Sequence, residues 1–586
     1  MKIKIILFFV LSLGFVLRIW QVSQIPPGLN RDEAAIGYTA YSLLKTGKDE
    51  YGRFLPVSLE SFGDWKLPLY IYLTVVPVAL FNLSEWSVRI ISIVFGTATI
   101  FLLYLFVKEL FKTYRFSEIL SLLSAFFLAI SPWHVHFSRV SSEANLAVFF
   151  CVLSFVILLK NINSKTRLFF ASIFLSLTLY TYHGNHVFTP LLFLGIFVYL
   201  LKNILNKKLL VYFIFPFLIL SIYIWSQTLF SANKTKLSGL SPLSDVYQVY
   251  NNVILARKDY AEGSSGIEKI IHNKVTYLFG RVFVGYIDGF STDFLFVRGG
   301  SNNQHNIPGF GNLYIWDAIF IPIGLYILFH RKFQYRWFLL YWILISPIGA
   351  ALTKDAPHTA RMAAILPIPQ ILIAIGVWFL IQELYGKRFS KFVISFLMLL
   401  LIINIAYFCS RYYVHFPIQE EVNWGGGYKK LVSEVNKLMP NYQEILMDRP
   451  NYSPYIYFLF YGRVDPKSFQ NNVVRYSPDS EGFHHVQQIG KMHFESIGWS
   501  DELVIPNRLL ISWADSTPSI ASQSSTLITE SVLTTLNNKY GNTFGLLPGD
   551  IVISRILDTI SLKNGTKEFY LIDVNKAPYR YTDYAK

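Results

Sequence analysis

The amino-acid sequence predicts an all-α polytopic membrane domain followed by a soluble C-terminal α/β domain, and three observations carry that prediction. Of 586 residues, 53% are hydrophobic and only 15% charged, against about 25% charged in a typical soluble domain. The apolar residues gather into repeated runs of about 16 to 22, the length that crosses a bilayer as a helix, and the mean hydropathy is positive. From about residue 411 the pattern changes: Pro, Asn, Asp, Lys and Ser spread between short apolar runs such as 455–460, 509–513 and 569–574. A disordered or fibrous chain is excluded by the same figures.

In chain order, candidate spans fall at 5–21, 87–107, 118–133, 144–159, 168–182, 187–201, 209–227, 313–330, 337–352, 362–381 and 392–410, about 11 in all. A further run, 67–83, contains Pro68 and Pro77, which limit a straight crossing. The positive-inside rule decides its placement. If it stays at the outer surface, the basic groups around Lys2, Lys108, Lys160, Lys202, Arg331 and Lys387 all fall on one side. If it crosses, five of those six groups lie opposite the N-terminus. The reading is therefore a cytoplasmic N-terminus with a retained first helix, since no A-x-A-like site follows Lys2 and Lys4. Outer loops then lie at 21–86, 131–143, 181–186, 227–312 and 353–361, and the soluble domain, 411–586, is extracytoplasmic. Within the long loop, 267–283 reads as a helix.

The net charge of +15 does not point to nucleic acid, because the basic residues flank apolar runs in the way topology demands. Cys151 and Cys409 both lie in apolar segments, which leaves no disulfide framework and no Cys-based metal site. Neither G-x-G-x-x-G nor G-x-x-x-x-G-K-[ST] occurs, so no nucleotide donor is expected, and H-E-x-x-H is absent. Gly425-Gly426-Gly427 reads as a flexible turn.

The topology places nearly every unusual polar residue at the outer edge of the membrane. Asp32-Glu33 is either a helix N-terminal pair favoured by the dipole or an acid–base pair whose members differ in solvation. Asp49-Glu50 reads as a solvated turn. Asp64 and Lys66 are an exposed salt bridge or part of a site. Arg139 and Arg361 offer planar forks that match phosphate oxygens, with interfacial snorkelling as the alternative. His183 and His186 read as interface residues unless a third ligand completes a metal site, and with Asp64 and His358 they are candidate substrate or metal contacts. No metal is assigned, and the residues do not require one. The spans themselves are almost wholly apolar, whereas a transporter or flippase of lipid-linked saccharides, the alternative reading, is expected to carry ionisable groups at mid-membrane.

At Asp32-Glu33, Asp64-x-Lys66-x-Pro68-Leu69-Tyr70, Ser87-Val88-Arg89 and Ser131-Pro132 with Ser138-Arg139, the chain resembles the GT-C superfamily of integral-membrane glycosyltransferases, family 39 type: the bacterial relatives of protein O-mannosyltransferases and aminoarabinose transferases. The likeness covers about residues 1–410. It implies a GT-C-type transmembrane catalytic domain that takes a sugar from a polyprenyl-phosphate donor and transfers it, with inversion, to a protein, lipid or glycan acceptor outside the cytoplasm. It further implies Asp32 as general base with Glu33 in support, and Lys66 and Arg139, with Arg361 as a weaker match, on the donor phosphate. Any divalent cofactor is left open by the resemblance, as are the sugar and the acceptor.

Overall fold

The computed structural model describes residues 2–230, 241–259, 266–479, 482–541 and 544–578. Each apolar run of the first 410 residues is helical. Among the described residues, five helices are long and apolar enough to cross a membrane: Glu85–Leu110, Glu143–Lys160, Asn185–Asn203, Lys207–Thr228 and Ser390–Gln419. The bent pair Thr359–Ile365 and Ile368–Leu384 makes a sixth if it is one span, and Pro68–Phe81, Ser117–Ile130, Asp317–His330 and Arg336–Ala351 are shorter apolar helices. The chain is an integral membrane protein whose span count is set by how those shorter helices sit. In the long loop, 231–240 and 260–265 lie outside the described residues. The helix expected over 267–283 is interrupted: Ile267–Ile271 ends, and Asn273 caps a second helix, Lys274–Asp288, by accepting from the Val275 and Thr276 N–H groups.

Four helices frame the region of interest: α1 (Lys2–Ile19), α2 (Arg31–Thr46), α3 (Pro68–Phe81) and α4 (Glu85–Leu110). The run 67–83 is α3, and it begins and ends at the same end of α4. Its start is held there because the Tyr70 hydroxyl donates to Val88 O at 3.1 Å and lies 2.9 Å from Ser92 Oγ. Its finish is held because only residues 82–84 separate it from the first residue of α4, a reach of about 14 Å at most. The other loops expected to face outward meet at this end too. Ser141 N donates to Glu33, the His183 ring lies 3.1 Å from Trp65 O, and the His305 and His358 rings are 5.0 Å apart. At the opposite end, Lys108 pairs with Glu118 and Arg331 with Glu383. Leu205 N donates to Asn163 there.

The first loop contains a hairpin, β1 (Leu59–Ser61) and β2 (Asp64–Lys66), closed by Phe62 and Gly63 at φ 44° and 83°. Positive φ at both central residues is the turn that matches strand twist, and it places glycine second. A Cβ on Gly63 would lie within 2.6 Å of backbone atoms of Gly482, Phe483 and His484. The hairpin tip is thus pressed onto the tail, and His484 N donates to Phe62 O.

The tail is built on eight strands, β3 (Glu444–Met447), β4 (Val474–Arg475), β5 (Val486–Ile489), β6 (Met492–Phe494), β7 (Arg508–Trp513), β8 (Gln523–Leu527), β9 (Ile551–Ser561) and β10 (Lys567–Lys576), ordered β4-β5-β6-β3-β7-β10-β9-β8. β3 runs parallel to β6 and β7; the other pairs are antiparallel. The apolar runs at 509–513 and 569–574 are strands, whereas 455–460 lies in a helix, Tyr455–Gly462. Alternation along the strands divides the core. Ile445, Leu509, Ile511, Phe569 and Leu571 join one buried cluster, and Leu446, Leu510, Ile572 and Val574 another.

The first cluster does not stop at the tail. It continues through Leu431, Tyr455 and Phe460 into Leu29, Ala34, Tyr38 and Ile71 of the first loop. Gly37 is where α2 meets the tail helix, and a Cβ there would stand 2.4 Å from the Phe460 ring. Asp49 and Glu50, expected as a solvated turn, are fully buried instead. Asp49 accepts from the Tyr51 and Arg53 N–H groups, while Glu50 accepts from Ser61 Oγ (2.6 Å) and from the Tyr455 hydroxyl (2.5 Å). Burial raises the Glu50 carboxyl above its ordinary value, against the Arg475 charge. The covering surface comes from about 400 residues downstream, which no local reading supplies.

Gly63→Ala adds a side chain at positive φ against three backbone groups. It is expected to destabilise by about 1–3 kcal/mol and to loosen the tail from the first loop. Thermal unfolding in detergent and limited proteolysis between residues 411 and 427 check this.

Candidate active site

The site begins with a helix start. Asn30 caps α2 by accepting from Glu33 N at 2.8 Å, which places Asp32 and Glu33 in the first turn, where the helix dipole favours carboxylates. Neighbouring helix positions project about 100° apart, and the two acids have different partners. Glu33 is buried and takes both oxygens into a bidentate pair with Arg89, Nε–Oε1 3.0 Å and Nη2–Oε2 2.7 Å, with Ser141 N also donating to Oε1 at 2.8 Å. Arg89 further donates to Val22 O, Pro26 O and Gly28 O.

Asp32 keeps half of its side chain exposed (50%), whereas its partner Lys66, brought up by β2, is 7% exposed. Lys66 Nζ donates to Asp32 Oδ1 at 2.6 Å and to Asp64 Oδ2 at 3.0 Å. Desolvation in this recess opposes both charges, and the pair overcomes it. Asp32 is held below the usual carboxylate range chiefly by Lys66, with Arg31 adding to it, and Lys66 is raised by Asp32, Asp64 and Glu143.

The other expected site residues divide. Arg361 lies at the same end, donating to Thr353 Oγ1 at 2.8 Å and pairing with Asp355. His358 accepts from Arg361 N and stands 3.7 Å from Asp355. Burial, then the Arg361 and His305 charges, hold His358 well below its ordinary value. The His183 and His186 ring centroids are 5.4 Å apart, with His183 Nε2 3.1 Å from Trp65 O and His186 Nε2 2.8 Å from Leu179 O. Among the described residues, no three His, Cys, Asp or Glu side chains converge as a metal site.

Arg139, expected on the donor phosphate, is engaged by backbone carbonyls. It is fully buried, and its two Nη atoms donate to Leu17 O, Arg18 O, Trp20 O and Ile25 O. Tyr412 and Tyr413 lie against its guanidinium. A phosphate there would have to displace those carbonyls, which are the reason the residue is buried.

Two residues were given no role from sequence. Arg89 had a signal: an arginine one turn into an apolar helix must be compensated or functional. His305 had none. Burial holds it at about 4, partly offset by the Asp32 charge, so a neutral imidazole faces the carboxylate. Asp32 also opens onto a cavity of about 680 Å³ whose far wall is the tail, with Tyr457, Trp513, Arg449 and Glu568 among its lining.

Residues 8–236 match the model of the family described as dolichyl-phosphate-mannose-protein mannosyltransferase. The GT-C resemblance read from the sequence therefore holds over the segment that carries Asp32, Glu33, Lys66, Arg89 and Arg139. No curated protein matches the chain. Among solved structures, oligosaccharyltransferase AglB from Archaeoglobus fulgidus, in complex with an inhibitory peptide and a dolichol-phosphate, is similar at 14% identity and a TM-score of 0.47, over 78% of this chain and 64% of that one. ArnT from Cupriavidus metallidurans, bound to undecaprenyl phosphate, is similar at 11% identity and a TM-score of 0.48, over 97% of this chain and 98% of that one. The chain thus spans just under two thirds of the archaeal enzyme's length.

Arg89→Met leaves the Glu33 carboxylate buried without its cation. The expected loss is about 3–5 kcal/mol, read by thermal unfolding in detergent. Replacing both members, Arg89→Met with Glu33→Leu, should recover part of it, since the two effects are coupled.

Proposed function

We propose that this chain is an integral-membrane glycosyltransferase that moves a sugar from a polyprenyl-phosphate donor to an acceptor hydroxyl on the extracytoplasmic side, inverting the anomeric carbon. The observation that carries the reading is the Asp32–Lys66–Asp64 cluster, half exposed at Asp32 and opening onto a large cavity at the end where the outer loops meet. The family match over residues 8–236 supports it.

In this reading Asp32 takes the proton as the acceptor oxygen attacks the anomeric carbon. The bond from that carbon to the phosphate oxygen breaks, and the phosphate leaves with one more negative charge. Asp32, Asp64 and Lys66 together carry one net negative charge before the step and none after it. Protonation of Asp32 therefore frees Lys66 to attract the departing phosphate as its charge grows. Arg361 supplies a second cation from the neighbouring loop. Glu33 is the positioning residue beneath Asp32, and Arg139 holds the chain that leaves α1. The topology that goes with this chemistry has a cytoplasmic N-terminus and an extracytoplasmic tail.

Asp32→Asn should lower the rate of transfer from a polyprenyl-phosphate sugar by about 10²–10⁴ with donor binding retained. Transfer at the wild-type rate would remove Asp32 as base. The active form is the ionised carboxylate, and Lys66 holds it below the ordinary value near 4. The kcat/KM profile should therefore stay level as pH falls to about 4 and decline only below that. Lys66→Met removes the lowering charge, so its acid limb should move to higher pH.

A further inference from the structure

The cavity beside Asp32 has two walls of different origin. Arg31 and Asp32 of α2 and Gln304 of the long loop form one; the rest is tail. What the tail contributes is flat and aromatic. Tyr428 and Tyr457 stack at 3.9 Å and 9°, Tyr428 packs against Phe569, and Trp513 packs against Phe569 at 4.7 Å with Tyr452 beside it at 5.9 Å. Arg449 lies 5.3 Å from the Trp513 ring and is paired with Asp515 at 2.7 Å.

Glu568 completes this wall. It is only 4% exposed, lines the cavity, and has the Gly427 N–H against its carboxyl. A carboxyl held in a buried position by one backbone N–H keeps hydrogen-bonding capacity that a ligand can use. The triple-glycine turn makes room for it: a Cβ on Gly427 would lie 2.0 Å from Glu568 Oε2, and one on Gly425 would lie 3.0 Å from the Tyr457 hydroxyl. Burial and the nearby Glu421 charge push the Glu568 carboxyl up to about 8, which makes it a neutral donor as well as an acceptor at ordinary pH.

These groups select among ligands by chemistry. Arg31, Arg449 and Lys567 stand against Asp32 and Asp515, with Glu568 neutral, so the cavity has about one net positive charge and offers no strong field to a polyanion or a polycation. Its charged lining does not suit an acyl chain. An extended peptide would seek a free strand edge, but Trp513 and Glu568 lie on β7 and β10, paired to each other in mid-sheet. Aromatic faces that meet the C–H surface of a sugar ring, ringed by carboxyl and guanidinium groups that bridge neighbouring hydroxyls, suit a neutral saccharide.

We infer that this cavity is the acceptor subsite, that it takes a neutral saccharide, and that the tail supplies the platform which presents a sugar hydroxyl to Asp32. The inference rests on the reading of Asp32 as the base. It assigns a role to residues 411–586 that the transmembrane segment cannot fill.

The test uses the full-length protein in nanodiscs and four probes, mannotriose, maltotriose, cellotriose and chitotriose, with a Ser/Thr-containing hexapeptide as competitor. Binding is followed by saturation-transfer NMR and calorimetry. At least one trisaccharide should bind, and Trp513→Ala, Glu568→Gln and the surface variant Asp515→Asn, at a position 70% exposed, should each weaken it by about tenfold, with binding of undecaprenyl phosphate unchanged. Asp32→Asn should leave saccharide affinity within about twofold while transfer is lost. No binding by any trisaccharide, unchanged affinity in all three tail variants, or binding of the hexapeptide alone overturns the subsite and leaves the Asp32 reading standing. Saccharide binding with undiminished transfer by Asp32→Asn overturns the base instead.

Discussion

A guanidinium removed from water must place every one of its donors, and Arg89 does so. It has five N–H groups and makes five hydrogen bonds, two to Glu33 and three to the carbonyls of Val22, Pro26 and Gly28. One side chain on α4 therefore fixes the chain that leaves α1, the turn before α2 and the first turn of α2 itself. Arg139 holds the chain one step earlier through its two Nη atoms alone, on the carbonyls of Leu17, Arg18, Trp20 and Ile25. Because the unpaired alternative is several kcal/mol worse, the position of Asp32, next to Glu33, is set far more tightly than a loop residue's would be.

The tail is the second constraint. The first loop has too few residues to bury its own apolar face, and the sheet's near face closes over it, so α2, the hairpin and the Tyr455–Gly462 helix share one core. The contact is close where glycine permits it. Gly28, at φ 84°, meets the Trp424 carbonyl, where a Cβ would come within 2.6 Å, and Gly425 meets the Leu29 carbonyl. The turn at 425–427 reads as flexible from its sequence, yet it is packed on three sides. The cavity beside Asp32 exists because these two regions meet, and neither alone has both walls.

The apolar helices were legible because hydropathy is written locally and needs no partner to interpret. Asp64 and Lys66 were legible as a pair, and Asp32 as a candidate acid, for a related reason: ionisable groups beside apolar segments must be compensated or used. The rest depended on partners that leave no local trace. An arginine at a helix boundary reads the same whether it faces phosphate or backbone carbonyls, and carbonyls carry no sequence signal, so Arg139 was assigned by its type. Asp49 and Glu50 look like a solvated turn because their cover, Tyr455 and Arg475, is supplied from the tail. A six-residue apolar run such as 455–460 is compatible with a helix or a buried strand on periodicity alone. The cavity's aromatic residues come from separate elements and become a wall only when the sheet is assembled.

In the reaction proposed above, the division of labour between the two adjacent acids would follow from these contacts. Glu33 stands beside the reacting region with both oxygens taken by Arg89 and Oε1 also by Ser141 N, so it has no oxygen left to offer a substrate. Asp32 is different in one respect that matters for proton transfer. Its cation partner, Lys66, retains Asp64 at 3.0 Å after Asp32 is neutralised. A proton on Asp32 therefore leaves no buried ammonium uncompensated, and the cluster can change its charge state during a reaction without losing its geometry.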